Sequence, residues 1–314
     1  MQLQKIEFRK ERDFSSVLGD TIKFLKQNFK PLFSSIILII GPVILLTGLA
    51  CSYIQSVTLN NVFSRMGSGI FDQTYFVSIG VVYMLLFINY ALVSSAVFNF
   101  MCLYNEKPAG EKITVSEVAS RIWSNAGRFI GSISAFMLAI MVVSAALALI
   151  GIGFWSMGAF GITIIVLATL SGILILAPIV AHSVSAAFYV VVRDHSFIFK
   201  ALASVRSRLS GSFWWTWLIL VVVLIGLSIL QLLFNLPASI ISFTDAFTRA
   251  RNITQNTALT GSSPSVWLIA FYTIGMFLTT CSSAILHLVS AFNFLGHEEK
   301  HEGKGLLTLL DEIK

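Results

Sequence analysis

The chain has 314 residues, 56% of them hydrophobic and only 11% charged, where an ordinary soluble protein carries about 25% charge. Net charge is +6 and mean hydropathy is +0.84. Because no basic domain stands outside the apolar runs, these values exclude a soluble nucleic-acid binder. They place the surplus Lys and Arg in loops that face an anionic leaflet.

In chain order, about thirty polar and charged residues precede the first apolar run, which has full spanning length. That pattern reads as an uncleaved protein rather than a secretory signal. Within it, Phe14, Leu18, Ile22, Leu25 and Phe29 form one helical stripe, with Lys23, Lys26 and Lys30 opposite. Apolar runs follow at 32–54 and 76–103. A second amphipathic stretch places Val115, Val118, Ile122, Ala126 and Phe129 on one face and Glu117, Arg121 and Arg128 away from it. Thr114 and Glu117 have capping-box spacing. Runs at 129–152 and 158–192 come next. The latter, at about 52 Å for a helix of its length, exceeds a bilayer core of about 30 Å. It must tilt, project or kink, and Pro178 is the expected kink. A third amphipathic stretch carries Ile198, Leu202, Val205 and Leu209, with Lys200 and Ser207 opposite, before runs at 213–240 and 265–295.

Each of the six runs exceeds the roughly 20 residues that cross a bilayer as a helix, and none alternates as a barrel strand does. The expected fold is therefore all-α: a polytopic membrane protein with six transmembrane helices. The unit of amphipathic helix, span, outer loop and long span recurs at 14–105, 114–194 and 197–296, which reads as three repeated hairpins. Residues 1–296 form the transmembrane domain, and 297–314 a cytoplasmic tail. Eighteen Lys and Arg fall on one side of the spans and three (Arg65, Arg249 and Arg251) on the other. Both termini are thus expected in the cytoplasm, with the chain in a bacterial inner membrane. Trp155, Trp267, Tyr53, Tyr75 and Tyr272 mark the outer boundary; Trp123, Trp214, Trp215, Tyr104 and Tyr189 mark the inner one. In the tail, HEEKHEG reads as a charged linker, and Leu306, Leu309, Leu310 and Ile313 as the face of a short helix. That helix would lie on the membrane surface or dock a protein partner.

No acidic or basic residue needs to lie inside a span, which weakens ion-coupled transport. There is no HExxH, P-loop, GxGxxG or GxSxG in a fitting context, so no catalytic residue, cofactor or metal site is assigned. Cys51, Cys102 and Cys281 are scattered and read as small apolar fillers. Mid-span polarity resides in His182 with Ser185 and His287 with Ser290, each pair three residues apart on one helix face. They read either as interhelical glue or as a binding or proton-relay site. Asn89, Asn99 and Asn293 are the other polar candidates. Anionic-lipid contacts are assigned to Lys23, Lys26, Lys30, Arg121, Arg128, Lys200, Arg206 and Arg208.

The element order, with FIFKALASVRSRLSGSFWW leading into a span, resembles a broad bacterial group of six-span membrane proteins of unknown function. That group includes the membrane domain fused to some glycerophosphodiester phosphodiesterases. The ending FNFLGHEEKHEGKGLLTLLDEIK resembles Bacteroidota membrane proteins. The fused enzyme's catalytic residues belong to a soluble domain that has no counterpart here. The resemblance therefore implies a scaffold or accessory role and carries over no catalytic residue. The leading expectation is a non-enzymatic membrane protein that organises lipids or protein partners at the cytoplasmic face, in part through its tail. The alternative is a transporter or channel for a hydrophobic or neutral solute, its path lined by the two histidines.

Overall fold

A computed structural model of the chain describes residues 5–64, 73–108, 110–155, 157–209, 212–254 and 266–303. Over these residues the protein is all-α, with no strand. The helices are α1 (Phe14–Ser64), α2 (Gln73–Glu106), α3 (Val115–Trp155), α4 (Ala159–Ser171), α5 (Ala177–Asp194), α6 (Ile198–Leu209), α7 (Phe213–Thr254) and α8 (Val266–Glu302). A π-helical turn, Gly172–Leu176, joins α4 to α5. Six segments are long and apolar enough to cross a membrane: Phe14–Gln55, Val77–Glu106, Val115–Gly151, Ala159–Asp194, Phe213–Thr248 and Val266–Glu302.

The three stretches expected to lead into spans take different forms. In α1 the helix breaks at Asn28 (φ −117°, ψ 15°). Pro31 lacks an N–H and its ring crowds the carbonyl four residues back, at Gln27. The Asn28 side chain donates to the Phe24 carbonyl at 3.1 Å, one turn back. The second lead-in has no proline and runs unbroken into α3. Its start has the reciprocal box read from the sequence: Thr114 N donates to Glu117 Oε2 at 2.8 Å, and Glu117 N to Thr114 Oγ1 at 3.3 Å. The third lead-in, α6, is a separate helix that ends at Leu209.

Pro178, the expected kink, stands in a setting that spacing does not reveal. It sits at the start of α5, directly after the π-turn. The carbonyl it cannot serve, that of Leu174, accepts a hydrogen bond from the Trp217 indole N–H at 3.1 Å. Three helices run well beyond the expected boundaries: α1 continues past 54 to Ser64, α7 past 240 through TDAFTRARNIT, and α8 to Glu302 through residues read as a linker. The tail helix face at Leu306, Leu309, Leu310 and Ile313 lies outside the described residues.

The chain divides into two compact units. Unit 2 comprises Ile36–Val93 and Gly226–Ala284. Small side chains bring its helices close: a Cβ on Gly48 would meet Thr273 Cα at 2.7 Å, and one on Gly275 would meet Asn235 Oδ1 at 2.7 Å. Asn89 donates to Thr47, and Asn235 to Thr279 at 3.2 Å. Such small residues and interhelical amides are what holds helices together where lipid removes the hydrophobic incentive. Unit 1 comprises Met1–Ser35, Ser94–Ile225 and Ile285–Lys314. Its core is aromatic: Phe24 meets Phe100, Tyr104 and Phe292 with ring centroids 5.0–6.1 Å apart, and Phe8 packs on Tyr104 and Phe292.

Candidate functional site

The mid-span polar residues converge in unit 1. His182 and Ser185 come from α5, His287 and Ser290 from α8, and all four are fully enclosed, at 0% exposure. Each serine stands three residues after a histidine, but the hydrogen bond crosses between helices: Ser185 Oγ pairs with His287 Nδ1 at 2.9 Å. The His287 ring also meets Phe98 edge-on, with centroids 5.5 Å apart. Both ring nitrogens of His182, and Ser290 Oγ, have no hydrogen-bond partner among the described residues. A buried polar group in that condition typically costs about 1–3 kcal/mol.

Farther along α8 lies a second histidine node that sequence reasoning missed. Thr216 Oγ1 is 2.9 Å from His297 Nε2 and accepts from Asn293 Nδ2 at 3.2 Å. His297 opens the charged HEEKHE stretch, which hid it. The available signal was its spacing of four from Asn293, which puts both on one helix face. Asn99 donates to the Ser95 carbonyl at 2.8 Å and accepts from Asn125 at 3.2 Å.

Two charged cavities of unit 1 flank the aromatic core. The first, about 440 Å³, is lined by arginines and carboxylates. Arg193 donates to Glu298 Oε1 at 2.8 Å and to both oxygens of Asp194, and its guanidinium lies over Tyr189 and Phe294 at 5.5 and 5.7 Å. Arg208 bonds Glu302, reaches Glu298 at 3.3 Å and also covers Phe294, at 5.5 Å. Nearby, Arg12 pairs with Asp20 at 2.8 Å and lies over Phe292 at 5.1 Å. Burial lowers the Arg12 pKa below its ordinary value, and Asp20 opposes that shift. A Cβ on Gly296 would approach Arg12 Cβ to 2.9 Å, so the N-terminal segment packs closely on the end of α8.

The second cavity, about 1140 Å³, is lined by five lysines (Lys5, Lys26, Lys30, Lys107 and Lys112) and one acid, Glu111. Lys107 bonds Glu111 at 2.8 Å and Glu117 at 2.7 Å, and these carboxylates, Glu111 first, raise its pKa above the usual lysine value. Lys5 donates to the carbonyls of Asn105 and Lys107 at 2.9 and 2.6 Å.

The residues expected to meet anionic lipid are therefore distributed unevenly. Lys26 and Lys30 line the lysine cavity. Lys23, Arg128, Lys200 and Arg206 are exposed. Arg121 is engaged by Glu106 at 2.7 Å, and Arg208 by Glu302 and Glu298. Among the described residues, no three metal-ligating side chains gather at one point.

With six apolar helices of spanning length and an all-helical fold, the chain is a multi-pass integral membrane protein. Comparison with protein-family models, with curated proteins and with solved structures finds no match to it.

Proposed function

We propose that the protein is a non-enzymatic scaffold or accessory subunit of a bacterial inner membrane, organising lipids or protein partners at its cytoplasmic face. The observation that carries this reading is the enclosure of the polar core. The four mid-span side chains of His182, Ser185, His287 and Ser290 have no exposed surface, while the N-terminal segment lines both charged cavities, through Phe8 and Arg9 in the first and Lys5 in the second. The excess of basic residues in the terminal segments and even loops supports a cytoplasmic position for that end. Its architecture supports kinship with the six-span group resembling the glycerophosphodiesterase membrane domain. Affinity purification from native membranes tests the reading: a stable partner, or a dependence on anionic lipid, is expected. Repeated recovery of the protein alone, indifferent to lipid, would end it.

A second reading, a conduit for a neutral or hydrophobic solute, has one observation in its favour. Among the described residues, His182 presents two fully buried ring nitrogens without hydrogen-bond partners in unit 1. Replacing His182 and His287 together by Leu separates the readings. The scaffold reading expects a folded double variant with unchanged growth and partner capture. Lost solute flux with intact capture would favour the conduit.

A further inference from the structure

We infer that the lysine cavity is a binding site for the headgroup of an anionic phospholipid. The inference deepens the reading above and rests on it, since it assumes that this end of unit 1 faces a charged leaflet.

The cavity is a built site rather than a scatter of surface charge. Three pieces of chain form it: the N-terminal segment at Lys5, the break in α1 at 26–31, and the α2–α3 connection. Tyr104 fixes one wall; its hydroxyl donates to Gln27 Oε1 at 3.1 Å and accepts from Ile6 N at 3.0 Å. The only lining carboxylate, Glu111, is already engaged by Lys107. Lys26, Lys30 and Lys112 are exposed, and none forms an ion pair among the described residues. Three like charges sharing a cavity repel one another, and a phosphate among them relieves that repulsion.

The cavity's other walls identify the source of the phosphate. Phe29, Pro31 and Ile113 line it beside the lysines. Phe29 is 57% exposed, and its ring lies 4.5 Å from that of Phe33, one turn along α1. A ligand with phosphate at one end and hydrocarbon at the other matches lysines that give way to phenylalanines along a spanning helix. A soluble phosphate ester uses only the first half. The site also occurs where α1 changes from an amphipathic to a spanning helix, the level at which headgroups lie.

The test uses the full chain in nanodiscs of phosphatidylcholine, with and without phosphatidylglycerol, and reads the acetylation rate of each lysine by mass spectrometry. Phosphatidylglycerol is expected to slow modification of Lys26, Lys30 and Lys112 well beyond that of Lys10, an exposed lysine that does not line the cavity. Because this measurement uses the native sequence, no folding defect can confuse it. The triple variant Lys26→Gln, Lys30→Gln, Lys112→Gln should then retain about tenfold less phosphatidylglycerol on purification, or lower still, since each lysine near an anionic surface contributes substantially. Equal rates in the two bilayers would overturn the site. Equal protection by millimolar inorganic phosphate in pure phosphatidylcholine would overturn the lipid and make a soluble anion the occupant. Partner capture from native membranes reads the scaffold role separately. If capture persists while lipid protects nothing, the cavity proposal fails and the scaffold reading survives.

Discussion

In the first cavity of unit 1, arginines meet carboxylates supplied from 94 and 105 positions away along the chain; in the second, five lysines meet one glutamate. Arginine's planar fork suits the first task, since it binds a carboxylate with two parallel bonds and stacks on aromatic faces, as Arg193 does over Tyr189 and Phe294. Lysine suits the second, as a flexible point charge that leaves room for an incoming anion. The balanced cavity consumes its charges in holding α5, α6 and α8 together. The unbalanced one engages Lys107 and Lys5 and keeps Lys26, Lys30 and Lys112 available. The first lining sets three arginines against four carboxylates and the second five lysines against one; the difference lies in whether the fold has brought each cation its counter-ion.

The comparison breaks most visibly at Arg193. Its side chain and that of Glu298 are 26% and 15% exposed, so the pair is partly screened but far from solvated. Replacing Arg193 with Ala leaves Glu298 only its 3.3 Å contact with Arg208 and takes one guanidinium off Tyr189 and Phe294. The expected loss is about 2–3 kcal/mol, below the usual cost of breaking a fully buried pair because water reaches this one. Denaturant unfolding in lipid nanodiscs measures it, and Arg193→Ala combined with Glu298→Gln should cost less than the two losses added. A loss below about 0.5 kcal/mol, the level of an ordinary surface change, would show that the cavity is not a lock.

A smaller effect is expected from salt. Raising ionic strength from about 0.01 to 1 M shortens the screening length from about 30 to 3 Å. It should abolish the phosphatidylglycerol preference of the lysine cavity while leaving the unfolding midpoint of the protein little changed, since the arginine pairs are hydrogen-bonded and partly buried. If both quantities fell together, the two cavities would be alike after all.

The contrast also explains what could be read from the residues alone. The six spans were legible because continuous apolar runs have one stable form in a bilayer. The Thr114–Glu117 box was legible because its chemistry is local. The continuation of α8 to Glu302 was not: HEEKHE has the composition of a solvated linker, and its helical state is tied to Arg193 and Arg208 on other elements. The histidines show the same limit. Spacing placed His182 with Ser185 and His287 with Ser290 on shared faces, but a helix face does not say which neighbour approaches it, and the bond formed joins Ser185 to His287. The lysine cavity was half legible: Lys26 and Lys30 stood out opposite an apolar stripe, while Lys107 and Lys112 reach it only through folding.

The smallest expected effect tests whether the two cavities are independent, because α1 begins next to one and breaks at the other. Asp13 caps α1: its Oδ1 accepts from Ser16 N at 2.9 Å, and its own N–H donates to Ser16 Oγ at 3.2 Å. The Ser16 hydroxyl, which also donates to Oδ1, and then the Ser16 N–H hold the Asp13 carboxyl below its ordinary pKa of 3.8. A group with a lowered folded pKa stabilises at pH values above its unfolded pKa, and that contribution is lost as pH falls through the folded value. The cap should therefore be complete at pH 6 and weakened near pH 3. Hydrogen exchange of the first-turn amides of α1, corrected for intrinsic rate, should show protection at pH 6 that Asp13→Ala removes and low pH reduces. Asp13→Asn, which caps without titrating, should keep its protection at both. Fraying of one turn stops well short of Lys26, more than three turns on, so phosphatidylglycerol should protect Lys26 and Lys30 equally in Asp13→Ala and in the native chain. If the lysines lost protection with the cap, α1 would couple the two cavities, and the lysine site would be conditional on the order of the lock.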